Sequence, residues 1–222
     1  MGCLLKQGGG LYPRLRIGAV LLAAGKGARM GGVAAPLIRL QGVPLVCRQL
    51  VALSGAGVDE VVVVTGHAKE AVEAAVRPFT VTLAYDERHA EGREDRDEAA
   101  RRSARVGLAA LSGPFDAVFI APAEQPLIGA SDLTELIGAF KKRPSGHVVV
   151  PFVDGRRGDP ILLDALAVED VLAGDGREPG PVHRHECANP RYVTALDTVE
   201  EVRALARRTG WRLELPEAPA LA

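Results

Sequence analysis

Short apolar runs alternate with amphipathic stretches along most of this sequence. Residues 17–22 and 61–64 are continuous apolar runs that end in glycine-containing turns, a pattern typical of strands buried on both faces. Residues 44–53 and 68–76 carry aliphatic residues at helical spacing, and the first of these stretches begins with proline. This order of strands and helices predicts a mostly parallel sheet with helices on both faces.

The same alternation continues through the second half of the chain. The pattern predicts further strands at residues 79–85, 117–120 and 147–150, and further helices at about residues 94–111 and 132–142. Neither an internal repeat nor a linker long enough to separate domains occurs. The pattern therefore predicts a three-layer α/β/α sandwich around a Rossmann-like sheet.

The length of 222 residues suits a single α/β domain. We expect an N-terminal extension over residues 1–15, followed by one domain over residues 16–222. Apolar residues make up 47% of the chain and aromatic residues only 4%. Alanine, valine and leucine must therefore form most of the core.

Charge and cysteine content exclude several classes of protein. The 27 basic and 28 acidic residues give a formal net charge of −1, which excludes a dominant basic surface for nucleic acid or a dominant acidic disordered tail. Three scattered cysteines are too few for a disulfide framework. No apolar run approaches the roughly 18 residues that a membrane-spanning helix needs. We therefore expect a cytoplasmic protein with neither nucleic acid nor membrane among its partners.

A glycine-rich segment directly after the first predicted strand carries the most informative chemistry. Residues 22–32 read L-A-A-G-K-G-A-R-M-G-G. A strand that runs into such a turn exposes consecutive backbone N–H groups, which bind phosphate oxygens. Gly25 and Gly27 let a ligand approach the backbone, and the guanidinium of Arg29 can bind phosphate in a bidentate manner. The segment is not a Walker A loop, and Met30 stands where the dinucleotide fingerprint needs its third glycine.

This segment resembles the L-A-A-G-x-G-x-R-M-G signature of nucleotidyltransferases, and later segments agree with that family in order and spacing. They are G-V-P-L at 42–45, V-V-V-V-T-G-H at 61–67, A-P-A-E-Q-P-L at 121–127, G-R-R-G-D-P-I-L-L at 155–163, G-D-G-R at 174–177 and L-D-T at 196–198. The resemblance covers about residues 17–205. It is greatest for the MobA-like nucleotidyltransferase family, and within it for the molybdenum-cofactor cytidylyltransferases.

The resemblance implies a magnesium-dependent nucleotidyl transfer. The terminal phosphate of a molybdopterin-type acceptor would attack the α-phosphate of a bound nucleoside triphosphate, and pyrophosphate would leave. The Ala-Ala pair after the first strand favours CTP over GTP within this family. A molybdenum hydroxylase or its chaperone is a further expected partner. In such reactions the protein positions the substrates and neutralises the charge on the triphosphate.

The resemblance also implies roles for individual residues. Arg29 and Glu124 would be catalytic, and Glu124 together with Asp197 would bind Mg²⁺. The cleft would lie at the carboxyl ends of the first strand and of the strand before Glu124. The expected nucleotide-binding residues are Leu22, Ala23, Ala24, Gly25, Lys26, Gly27, Thr65, Gly66, Asp86 and Ser103.

Several positions of the expected site depart from the family pattern. Ala35 replaces a lysine, Glu124 replaces the metal-binding aspartate, and Ala195 replaces the first acid of a D-x-D-T pattern. Asp159 stands where asparagine or histidine is usual, and residues 96–102 lengthen the run before the S-x-R-x-G-L helix. Loss of one charge-assisted phosphate contact costs about 1.5–3 kcal/mol, or about 10- to 100-fold in binding.

These departures leave two alternatives open beside an active cytidylyltransferase, whose activity they would impair. The first is a catalytically weak or inactive nucleotide- or cofactor-binding maturation factor with the same fold. The second is a nucleotidyltransferase that acts on a sugar phosphate. Binding without turnover would distinguish the first alternative from the enzyme.

Other candidate residues have simpler structural interpretations. His183, His185 and Cys187 would share one face of an extended strand and could bind Zn²⁺, but no fourth ligand is nearby in the sequence. An ordinary loop or edge strand is therefore favoured. Cys47 lies among aliphatic residues of a predicted helix, which favours a buried thiol over a nucleophile.

The residues around the last predicted helix also have two interpretations. Asp197 and Thr198 precede an apolar and acidic stretch, so either residue is suited to cap the N-terminus of that helix. This interpretation is compatible with metal binding by Asp197. Trp211 and residues 213–215 are expected to pack against the sheet.

Overall fold

The computed structural model describes residues 14–90, 96–144, 148–174 and 180–216. Its strands are β1 (Ile17–Ala23), β2 (Arg39–Leu40), β3 (Val43–Pro44), β4 (Glu60–Thr65), β5 (Thr82–Tyr85), β6 (Ala117–Pro122), β7 (Val148–Val153), β8 (Arg156–Arg157), β9 (Ile161–Asp164), β10 (Val182–Glu186) and β11 (Leu213–Glu214). Its α-helices are α1 (Leu45–Gly55), α2 (Lys69–Val76), α3 (Arg96–Ala109), α4 (Ala130–Lys142), α5 (Ala165–Ala173) and α6 (Val199–Thr209).

The main sheet contains eight strands. Seven of them follow the order β10-β7-β9-β6-β1-β4-β5, and β8 pairs with β7. Strand β1 is parallel to β4 and β6, and β4 is parallel to β5. Strand β9 is antiparallel to both neighbours. The sheet is mostly parallel, as the sequence predicts, and the carboxyl ends of β1, β4, β5 and β6 meet at one edge, where α/β proteins bind ligands.

Helices cover both faces of this sheet and complete the three layers. Ala19 and Leu21 of β1 belong to the hydrophobic clusters formed with α1, α2 and α4, whereas Val20 belongs to the cluster formed with α3 and α5. This alternation follows from the period of two in a strand. Helix α3 lies so close to the sheet that a Cβ on Gly107 would be only 2.2 Å from Cγ1 of Val20.

A small second sheet, with the order β11-β2-β3, packs beside α6. The expected packing of the segment after α6 is therefore wrong, because Leu213 and Glu214 pair with β2 instead of the main sheet. Trp211 remains 38% exposed. The hydrophobic cluster between this sheet and α6 also contains Met30 and Val33 of the glycine-rich segment, and it thereby anchors that segment.

Most predicted elements occur within a few residues of their expected bounds. The strand expected at 79–85 begins only at Thr82, because a turn closes after α2, where Phe79 N–H donates to the carbonyl of Val76 at 2.9 Å. Residues 1–13 of the expected extension and residues 175–177 of the G-D-G-R segment lie outside the described residues. No helix in the described parts of the chain is long and apolar enough to cross a membrane.

Candidate active site

A cleft of about 860 Å³ opens at the carboxyl ends of the parallel strands. The segment after β1, the first turns of α3, the loop after β6, strand β8 and the segment before α6 line it. Leu22 and Glu124 both belong to its lining. The cleft therefore lies at the two strand ends where the sequence predicts it.

The glycine-rich loop, residues 24–32, forms a tight turn at one side of the cleft. Gly27 adopts a left-handed conformation with φ of 59°, and its carbonyl accepts a hydrogen bond from Met30 N–H at 2.7 Å. A Cβ on Gly27 would lie 1.7 Å from the carbonyl oxygen of Val33. Only glycine fits this turn, because both its backbone angle and its surroundings exclude a side chain.

Backbone hydrogen bonds join the loops that surround the cleft. The three bonds run from Ala123 N–H to Leu22 O at 3.0 Å, from His67 N–H to Ala24 O at 3.2 Å, and from Leu196 N–H to Glu124 O at 3.1 Å. The last bond links the loop that carries Glu124 to the residue directly before Asp197. The two expected metal ligands therefore come from segments that are held together.

Asp197 faces the cleft, whereas Thr198 caps α6. The hydroxyl of Thr198 accepts from Glu201 N–H at 3.2 Å, and the Glu201 carboxylate accepts from Thr198 N–H at 2.9 Å. This reciprocal pair is a capping box. Oδ2 of Asp197 lies 3.4 Å from a guanidinium nitrogen of Arg29, whose side chain is 56% exposed. The structure thus brings Arg29 and Asp197 together beside the glycine-rich loop.

The expected nucleotide-binding residues at the ends of β1 and β4, together with Gly66, lie behind the loop. Ala23, Thr65 and Gly66 are buried, and a Cβ on Gly66 would lie 2.7 Å from the carbonyl oxygen of Ala24. The hydroxyl of Thr65 donates to the carbonyl of Ala84 at 3.4 Å. These residues support the loop from behind, while residues 24–27 line the cleft itself.

Asp86 forms contacts within the protein that the sequence does not predict. It is 2% exposed, and its carboxylate accepts from the hydroxyl of Ser103 at 2.6 Å and from Nε of Arg102 at 3.0 Å. Ser103 and Arg102 line the cleft, and Asp86 lies behind them. Asp86 therefore orients two residues of α3.

Gln125 is a residue of the cleft that the sequence analysis did not single out as functional. Its buried side-chain amide donates to the carbonyls of Asp159 at 2.8 Å and of Tyr192 at 3.2 Å. The hydroxyl of Tyr192 in turn donates to the carbonyl of Asp132 at 2.7 Å. Burial, together with the nearby Glu135 carboxylate, raises the pKa of Tyr192, which keeps this hydroxyl protonated as a donor.

The positions that depart from the family pattern also lie in the cleft. Ala35, which is 9% exposed, and Ala195 both line it, and so does Asp159. Two arginines of β8, Arg156 and Arg157, line the cleft on the far side of β6 and β9 from the glycine-rich loop. The cleft therefore lacks the two charged side chains expected at Ala35 and Ala195, whereas Asp159 adds a carboxylate where the family pattern has asparagine or histidine.

The residues of the possible zinc site form an edge strand instead. His183 and His185 lie in β10 at the edge of the main sheet, and Nε2 of His185 lies 2.9 Å from the carboxylate of Glu135. Within the described ranges, no group of three or more histidine, cysteine, aspartate or glutamate residues could hold a metal ion. Cys47 is buried as predicted, and burial raises the pKa of its thiol.

The parallel sheet, the glycine-rich loop after its first strand and the carboxylates on neighbouring loops of one cleft define a nucleotidyltransferase-type α/β domain. The MobA-like NTP transferase domain matches residues 19–187. The chain belongs to this family, as the sequence motifs indicate.

The chain is similar in sequence to curated proteins of at least two kinds. The bifunctional protein GlmU of Syntrophomonas wolfei is 26% identical over 137 residues, which are 61% of this chain and 28% of that protein. The chain therefore spans only about a quarter of that relative. The nicotine blue oxidoreductase of Paenarthrobacter nicotinovorans is 25% identical over 204 residues, which are 82% of this chain and 93% of that protein.

Solved structures of other proteins share the fold, and two of them illustrate it. A nucleotidyl transferase from Methanothermobacter thermautotroptrophicus has a TM-score of 0.69 and 23% identity, and the match covers 87% of this chain and 97% of that one. The CMP:2-keto-3-deoxy-manno-octonic acid synthetase complexed with CTP has a TM-score of 0.65 and 17% identity, with 87% and 99% covered. At these identities the likeness shows the fold.

Proposed function

We propose that this protein transfers a nucleoside monophosphate, preferentially CMP, from a nucleoside triphosphate to a phosphorylated acceptor of the molybdopterin type. The observation that carries this proposal is the common location of the glycine-rich loop, Arg29, Glu124 and Asp197 in one cleft. Backbone N–H groups and a guanidinium suit the triphosphate, and carboxylates suit a divalent cation.

In the proposed reaction, a phosphate oxygen of the acceptor attacks the α-phosphorus of the bound nucleotide. A new oxygen–phosphorus bond forms, the bond between the α-phosphorus and the bridging oxygen to the β-phosphate breaks, and pyrophosphate leaves. The glycine-rich loop and Lys26 hold the triphosphate in line, and Arg29 neutralises charge on the departing pyrophosphate.

Glu124 and Asp197 are the residues that would hold Mg²⁺. Magnesium commonly binds to proteins through one or two carboxylates, with water and substrate phosphates as its remaining ligands. Two acids fit this requirement, because the bond from Leu196 N–H to the carbonyl of Glu124 joins the loops that carry them. When bound, Mg²⁺ neutralises charge on the phosphates.

CTP is the proposed donor for two reasons. The Ala23-Ala24 pair at the end of β1 follows the cytidylyltransferase pattern within the family. The similar synthetase structure was solved with CTP, which is compatible with a cytidine nucleotide on this fold. Neither reason depends on the identity of the acceptor.

Magnesium-dependent release of pyrophosphate tests this proposal, with CTP, GTP, ATP and UTP each offered together with molybdopterin. We expect release that is selective for CTP and that requires both Mg²⁺ and the acceptor. Glu124→Gln should lower the rate about a hundredfold, since misplaced or lost contacts at a reacting centre have effects of this order. Glu70→Gln, an exposed change on α2 with the same loss of charge, is the matched control and should retain full activity.

A second candidate is a binding or maturation factor with little or no catalysis. Ala35 and Ala195 favour it, because the resemblance leads us to expect charged side chains at both positions of the cleft. Tight CTP binding without pyrophosphate release would support this candidate. Release with a sugar phosphate in place of molybdopterin would instead indicate a nucleotidyltransferase that acts on a sugar phosphate.

If the protein releases pyrophosphate only weakly, the triple substitution Ala35→Lys, Glu124→Asp and Ala195→Asp should raise its activity.

A further inference from the structure

Three acidic residues of the cleft come from three separate segments. Glu124 follows β6, Asp159 precedes β9, and Asp197 precedes α6. Their relative positions therefore depend on contacts between segments that are far apart in the sequence. A residue that joins these segments helps to fix these positions.

The side-chain amide of Gln125 joins all three segments. Gln125 directly follows Glu124, and its Nε2 donates to the carbonyl of Asp159 itself and to that of Tyr192, in the segment that continues to Asp197. Among the described residues, its Oε1 has no hydrogen-bond partner. The hydrogen bonds made by the amide group are therefore those to the other two segments.

Backbone bonds complete this arrangement. Asp159 N–H donates to the same Tyr192 carbonyl at 2.9 Å, and Leu196 N–H donates to the carbonyl of Glu124 at 3.1 Å. Gln125 is only 2% exposed, so little water is available to replace its bonds. A buried polar network of this kind is rigid when every group is hydrogen-bonded, and it destabilises the folded protein when one group loses its partner.

We propose that Gln125 is a positioning residue that fixes Glu124 and Asp197 for binding a divalent cation with the nucleotide. This inference rests on the proposed function, because it assumes a metal–nucleotide complex in the cleft. It goes beyond that function by assigning metal affinity to an amide that does not itself bind the metal. Residues that orient metal ligands typically change metal affinity or activity about 10- to 100-fold when they are replaced.

The substitution Gln125→Met tests this inference, because methionine has similar size and no N–H donor. In the full-length protein with CTP, we expect Mn²⁺, measured by electron paramagnetic resonance, to bind about 10- to 100-fold more weakly. Binding of CTP without metal should stay within about twofold of wild type, since the glycine-rich loop holds the triphosphate.

Gln49→Met is the matched control. Gln49 is also a buried glutamine, at 1% exposure, and its amide donates to the backbone carbonyl of Gln125 without joining the other two segments. Both substitutions should lower the thermal unfolding temperature, but only Gln125→Met should weaken Mn²⁺ binding. Equal Mn²⁺ affinity in wild type and Gln125→Met, or equal weakening by both substitutions, would overturn the positioning role.

Binding of CTP and Mn²⁺ by the wild-type protein distinguishes a failure of the proposed function from a failure of the role of Gln125. If the wild-type protein does not bind CTP together with Mn²⁺, the proposed function itself fails. If the wild-type protein binds both and Gln125→Met binds them equally well, only the role of Gln125 fails.

Discussion

Replacing Gly27 with alanine would put a methyl group inside the turn of the glycine-rich loop. The new Cβ would lie 1.7 Å from the carbonyl oxygen of Val33, and the nearest contact seen for real Cβ atoms is about 3.0 Å. The difference, 3.0 − 1.7 = 1.3 Å, must come from movement of backbone, since no side-chain rotation relieves it. The loop must therefore open by more than about 1 Å, a shift that can cost about a hundredfold in rate.

Gly31→Ala separates this displacement from backbone strain. Gly31 also has a left-handed φ, of 67°, but a Cβ on it would meet no atom within 4 Å. Both variants therefore incur the same left-handed strain of about 1–2 kcal/mol, and only Gly27→Ala moves the loop. Thermal unfolding should show a loss of stability in both variants from this strain, and a larger loss in Gly27→Ala, where the backbone must also move.

The assay is equilibrium binding of CTP with Mg²⁺ by titration calorimetry, followed by pyrophosphate release. Gly27→Ala should weaken binding or slow release about a hundredfold, whereas Gly31→Ala should remain within about tenfold of wild type. If folded Gly27→Ala binds CTP as wild type does, the glycine-rich loop does not hold the phosphates.

Three further predictions concern stability and reactivity. Thr198→Ala removes the cap of α6 and should lower the free energy of unfolding by about 1 kcal/mol in urea titrations; an unchanged value would contradict the capping box. Gly107→Ala should destabilise the protein by about 1–3 kcal/mol despite better helix propensity, because its Cβ would lie 2.2 Å from the stiff side chain of Val20; a more stable variant in the same titrations would contradict this. Burial raises the pKa of Cys47, so mass spectrometry should show slower iodoacetamide labelling at pH 8 in the folded than in the unfolded protein. Because the folded pKa lies above the unfolded one, this thiol's contribution to stability is complete at neutral pH and is lost as the pH rises through the folded pKa.

The apolar pattern predicts the parallel strands well because each is buried on both faces. Strand β1 and strand β4 begin and end within one residue of the predicted bounds. The apolar pattern does not predict the direction of β9, because its apolar run resembles that of a parallel strand. Its antiparallel pairing with β6 depends on how the chain returns from β7 through the short β8 turn, which is a tertiary property.

The candidate site was predictable only where its chemistry is local. The glycine-rich loop is one continuous segment, and its turn follows from its own glycines and from the strand before it. The partners of Asp86 and Gln125 are different, because they lie between 16 and 67 residues away in the sequence. Those contacts depend on how α3 and the segment before α6 pack, and no short sequence motif predicts them.

The fate of the α-phosphate tests the proposed function most directly. CTP labelled with ³²P at the α-position should be incubated with the protein, Mg²⁺ and molybdopterin, and the products should be separated. Nucleotidyl transfer requires that the α-label appears on the acceptor, whereas a γ-label appears only in pyrophosphate. If the α-label remains in CTP while CTP binds tightly, the cleft binds nucleotide without transferring it, and the transferase proposal is wrong.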